Sequence, residues 1–153
     1  MRNKAIKTQL LALCKENLDV RLKTVKTIID DLQQSLQSET KSSAGDKHET
    51  GRAMVQLERE KSGNQLSEIQ KIQVTLSKIN PEYFSKTIIG LGSVVITTKA
   101  NYFIAISSGE LTFEKDTFYA ISPNTPIGLL LLGKTVGDTI TFRGTSFDIV
   151  EVL

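Results

Sequence analysis

Residues Leu18–Leu36 read LDVRLKTVKTIIDDLQQSL. Apolar side chains fall at Leu18, Leu22, Val25, Ile29, Leu32 and Leu36, in alternating steps of four and three. That spacing is a heptad seam, the pattern of a helix that buries one narrow stripe against another helix. The positions between are mostly Lys, Asp, Gln, Ser and Thr, which keep the other faces in water. No Gly or Pro interrupts residues 4–38. The stretch therefore predicts one long helix, and such a stripe needs a partner.

The partner follows in sequence. Residues 39–51 are small and polar and contain Gly45 and Gly51, which reads as a turn. A second helical stretch runs over residues 47–79, with an apolar stripe of Met54, Leu57, Leu66, Ile69, Ile72, Leu76 and Ile79. The seam is polar between Leu57 and Leu66, and Gly63 there weakens the helix by roughly 1 kcal/mol relative to Ala. Asn80-Pro81 ends it. Two helices joined by a short turn fold back as an antiparallel hairpin. With about 30 residues at ~1.5 Å each, the finger is roughly 45 Å long.

After Pro81 the periodicity changes to alternation. Strands are predicted from Ile88-Ile89-Gly90 into 93–98, and over 101–106, 117–121, 139–142 and 146–152. Arg143-Gly144-Thr145 reads as a tight hairpin turn. Pro126–Gly133 reads as one or two helical turns, its leucine run as core. The fold class is α+β. An antiparallel coiled-coil hairpin spans 1–80, with an acidic tip near 42–51, and a small antiparallel β domain with one short helix spans 81–153.

Charge and composition bound the function. Residues 1–80 carry 14 Lys+Arg against 10 Asp+Glu, and residues 81–153 carry 5 against 7, giving +4 and −2 of the net +2. A mildly basic first half suits a place near DNA or RNA, and equally a solvated helical face of mixed charge. One cysteine, Cys14, and one histidine, His48, leave no intrachain disulfide and no Cys/His zinc site within one chain. Leu10–Cys14 is too short an apolar run for a signal peptide and is followed at once by Lys15-Glu16, so a cytoplasmic protein is expected.

The tip carries the chemistry. Asp46 and Glu49 stand three apart where the second helix starts, which puts both carboxylates on one face. Such a pair suits Mg²⁺, with the remaining ligands supplied by a partner. It equally suits a capping box, Asp46 as N-cap and Glu49 three residues on. Lys47, His48 and Arg52 are the neighbouring tip contacts. Ser42 and Ser43 have no second histidine to build a triad, and Gly90-Leu91-Gly92 lacks the third glycine and the helix of a dinucleotide site.

On two anchors the chain resembles the Gre family of transcript-cleavage factors, over nearly its whole length. One is Gly45-Asp46-Lys47-His48-Glu49, similar to that family's turn in which an Asp and a Glu open the second helix. The other is Ser122–Asp138, similar to its C-terminal signature of Ser-Pro, a short apolar helix, Gly-Lys and then Gly-Asp. The resemblance implies an FKBP-like β domain that docks on the rim of RNA polymerase through Ser122, Pro123, Thr125, Pro126 and Ile127. It implies a coiled coil that enters the secondary channel. There Asp46 and Glu49 assist catalysis by helping the polymerase hold its second Mg²⁺ against the RNA 3′ end of a backtracked complex. No stably bound cofactor is expected of this monomer, which is an accessory factor rather than an enzyme.

After Glu49 the family usually continues Asn-Ala-Glu-Tyr; this chain continues Thr50-Gly51-Arg52-Ala53. That departure makes a non-cleaving secondary-channel regulator the alternative. Proline isomerisation by the β domain and a plain coiled-coil homodimer are the readings from other classes.

Overall fold

A computed structural model describes the backbone of residues 2–41, 45–84 and 87–153, and the side chains of these outside 39–50. Two long helices come first, α1 (Arg2–Lys41) and α2 (Gly45–Ser77). Six strands and one short helix follow: β1 (Val94–Thr97), β2 (Asn101–Ile104), β3 (Gly109–Phe113), β4 (Asp116–Ile121), α3 (Pro126–Leu131), β5 (Thr139–Phe142) and β6 (Thr145–Val152). The composition change at Pro81 marks where helix gives way to strand, but packing divides the chain differently. One compact unit is Leu18–Gln73, and the other is Met1–Asn17 with Val74–Leu153.

In the first unit the heptad seam of α1 faces inward as its spacing predicts. Leu18 and Val25 are buried, and Leu22, Ile29, Leu32 and Leu36 are half-buried. The stripe on α2 departs from expectation. Met54 and Leu57 are 64% and 65% exposed, while Val55 is half-buried and Ser62 and Ile69 are buried. Val55, Ser62 and Ile69 are spaced by seven, so the true seam passes through the serine and leaves Met54 and Leu57 outside it. A groove of about 710 Å³ runs beside the seam, with Val20, Thr24, Leu57 and Lys61 in its walls.

In the second unit the strands form one sheet in the order β3-β4-β2-β1-β6-β5. Four of the pairings are antiparallel, as predicted, but β2 and β4 run parallel, with Tyr102 opposite Tyr119 and Ile104 opposite Ile121. β3 is the reason. This strand was not foreseen, and as the antiparallel edge partner of β4 it reverses the chain once more before β4 lies beside β2. Its only buried side chain is Leu111, so it has little apolar alternation to announce it. Ile88-Ile89-Gly90 is not strand, since regular pairing starts at Val94. The Arg143-Gly144 turn has positive φ at both residues, 53° and 79°, the mirror-image turn that matches strand twist.

One face of this sheet buries Val95, Tyr102, Ile104, Ile140, Phe147, Ile149 and Val152 with Leu131 of α3. Val94 and Phe103, on the alternate face, are also fully buried, so the central strands are covered on both sides. The first turns of α1 belong to this unit and bury Ile6, Leu10, Leu11 and Cys14. Arg2 pairs with Asp116 at 2.9 Å, Asn17 Nδ2 donates to Ser108 Oγ at 2.8 Å, and Lys4 meets Glu82 at 2.6 Å. The Lys4 ammonium holds the Glu82 carboxyl below its ordinary range. Burial pushes the Cys14 thiol up to about 11, so it packs as a small apolar group and not as a nucleophile. Among the described residues, no helix is long and apolar enough to cross a membrane.

Candidate functional site

The tip and the Ser122–Asp138 segment lie in different units, and each is built by its own local rules. At the tip, helical backbone begins at Gly45, so position 46 falls in the first turn of α2 and position 49 opens the second. Carboxylates in a first turn sit beside unpaired backbone N–H groups and the positive end of the helix dipole. The side chains of Asp46, Lys47, His48 and Glu49 lie outside the described residues, as do Ser42 and Ser43. Arg52 lies one turn further on and is exposed. From Gly45 to Gln73, α2 rises about 43 Å. Among the described residues no three His, Cys, Asp or Glu side chains converge.

The second segment is fully described, and its signature residues hold the local fold. Thr125 is the N-cap of α3: its Oγ1 donates to the Ser122 carbonyl at 2.8 Å and accepts from Gly128 N at 3.1 Å. Ser122 Oγ in turn accepts from Asn124 N at 3.2 Å. Pro126 occupies the first helical turn, where its missing N–H costs nothing. A side chain at Gly128 would collide with the Ser122 carbonyl oxygen and come within 2.8 Å of Thr125 Oγ1, so only glycine closes this turn. The remaining signature residues act similarly. Gly133 has φ 78° and donates to the Ile89 carbonyl, Gly137 has φ 93°, and Asp138 Oδ2 accepts from Thr135 N at 2.8 Å.

The five residues expected to dock are therefore brought together, but the polar groups of Ser122 and Thr125 are engaged within their own turn. Pro126 is exposed; Ser122, Pro123, Thr125 and Ile127 are half-buried, with Ile127 against the core. The leucine run is not uniformly core, as the sequence reading had it. Leu131 is fully buried, whereas Leu129 and Leu130 are 60% and 38% exposed, because α3 shows the core only one face. What this face offers a partner is mostly apolar.

One chemically notable residue escaped sequence reading. Lys7 is 3% exposed, donates to the Tyr83 carbonyl at 2.7 Å and stands 4.5 Å over the Phe84 ring. Burial pulls its ammonium down to about 8. A signal was present: Lys7 shares its helical stripe with Leu11, Cys14 and Leu18, at spacings of four, seven and eleven. Comparison with protein-family models and with curated proteins finds no match to this chain.

Proposed function

We propose that this protein binds RNA polymerase, inserts its helical hairpin into the secondary channel and stimulates cleavage of backtracked RNA. The observation that carries this reading is the tip. The long helix α1 ends at Lys41 and the long helix α2 starts at Gly45, so position 46 lies in the first turn of α2 and position 49 directly after it. That placement fits the chemistry required. Mg²⁺ favours oxygen ligands and takes one or two carboxylates, with the rest from water, substrate and partner. The polymerase's own metal supplies Lewis-acid activation of the attacking water. This chain contributes Asp46 and Glu49 and the rod that holds them, and it has no turnover of its own. An FKBP-like identity for the sheet unit, docking through the Ser122–Ile127 turn, and a monomer working in the cytoplasm complete the proposal.

The test uses a stalled, backtracked elongation complex. Adding the protein with Mg²⁺ accelerates release of short 3′ RNA fragments, and Asp46→Asn with Glu49→Gln abolishes that acceleration while leaving polymerase capture intact. Capture without acceleration by the unaltered chain sinks the cleavage function. The second reading, a non-cleaving channel regulator, is favoured by one observation: exposed Arg52 stands one turn beyond Glu49, where the resemblance leads one to expect an acid. In that case the protein competes with a cleavage-competent factor and slows it.

A further inference from the structure

The compact unit that holds the sheet contains a cavity of about 460 Å³ between the end of α2 and the Gly90–Ser93 turn. Its walls include Lys7, Lys78, Tyr83, Ile88, Leu91 and Ser93. Lys7 is the unusual member. A buried ammonium ordinarily has a carboxylate beside it, because an uncompensated charge out of water is costly. Lys7 has the Tyr83 carbonyl and the Phe84 ring, but no carboxylate within ion-pair distance among the described residues. The nearby acid, Glu82, is taken by Lys4.

The polar groups of the turn have the same bias. Ser93 is 4% exposed; its Oγ accepts from Gly90 N at 3.0 Å, and its own proton has no acceptor among the described residues. The Leu91 N–H likewise has no partner among them, whereas the N–H groups of Gly90, Gly92 and Ser93 are all used. Three carbonyls nearby already accept: Gly90 O from Ser93 N, Ile89 O from Gly133 N, and Tyr83 O from Lys7. Among the described residues, no acidic side chain lines the cavity. Donors and positive charge are left over at Lys7, Ser93 and Leu91.

We propose that this cavity binds a phosphate group, with Lys7 and Lys78 supplying charge and the Ser93 hydroxyl and Leu91 N–H supplying fixed hydrogen bonds. A dianion matches two lysines better than a carboxylate does, and charge-assisted bonds to such oxygens are the strong kind. The apolar wall of Ile79 and Ile88 beside exposed Tyr83 suits a phosphate carried on an apolar or aromatic group. The site stands independently of the polymerase reading.

The test is a titration of the full-length protein with inorganic phosphate at neutral pH and constant ionic strength, followed by amide shifts in ¹H–¹⁵N spectra. Saturable shifts confined to residues around Leu91 and Ser93 are expected. Lys7→Met, which keeps the stem's packing, weakens binding at least about tenfold, and Lys78→Ala weakens it less. Ser93→Ala provides the same check should Lys7→Met fail to fold. Phenyl phosphate binds more tightly than inorganic phosphate, and both more tightly than benzoate. Shifts that do not saturate, that survive in both Lys7→Met and Ser93→Ala, or that benzoate produces as well as phenyl phosphate does would overturn the proposal.

Discussion

The two units solve the burial problem in different ways. In Leu18–Gln73 the seam is narrow, and among the described residues only Leu18, Val25, Ser62 and Ile69 are buried. In the other unit the central strands are covered on both faces, and Phe103, Ile104, Val94 and Val95 have no accessible surface at all. A heptad hairpin draws its structure from residues close in sequence and tolerates defects in the seam. A sheet whose β1 pairs with residues 149–152 depends on contacts made across fifty residues of chain. The difference teaches where each unit is vulnerable: the sheet to lost volume, the hairpin to polarity in its stripe.

The largest test of that contrast is Phe103→Ala. The side chain is fully enclosed, so truncation leaves a cavity and costs roughly 3–5 kcal/mol. Ile69→Ala in the hairpin, beside an open groove whose walls can collapse, costs about 2 kcal/mol. Urea midpoints measure both, and equal losses would break the comparison.

Ser62→Ala has the opposite sign. The Ser62 hydroxyl is buried without a hydrogen-bond partner among the described residues, so removing it stabilises the hairpin by about 1 kcal/mol. Hydrogen exchange of α2 amides around residue 62 should slow accordingly. A destabilised variant would show that the hydroxyl is satisfied after all.

Thr125→Ala removes the cap of α3 and costs about 1 kcal/mol, with Thr125→Ser retaining most of it. Thermal denaturation resolves the pair.

The smallest effect is on pH. The folded Lys7 ammonium titrates near 8, below its ordinary 10.5, so between these values the unfolded chain holds more protons and stability rises with pH. Cys14 works against this from its ordinary 9.0 up to about 11, where the folded chain keeps the proton and stability falls. The window from 8 to 9 therefore isolates Lys7, and Lys7→Met flattens the rise there. A rise that persists in the variant assigns it to another group.

Local chemistry made most of this architecture legible. The α1 seam, the Arg143-Gly144 turn, the capped start of α3 and five of the six strands, β1, β2, β4, β5 and β6, rest on patterns within ten residues of each other. The tip acids were visible for the same reason: two carboxylates at i and i+3 beside a glycine need no distant partner to be recognised. Tertiary structure decided the rest. Which of two overlapping stripes on α2 faces α1 is a question of packing, and it went to Val55, Ser62 and Ile69 over Met54 and Leu57. The parallel pairing of β2 with β4, the edge strand β3 and the enclosure of Lys7 against Tyr83 and Phe84 likewise join residues far apart in the chain. Periodicity reports which face of an element is apolar; only the assembled fold determines what that face meets.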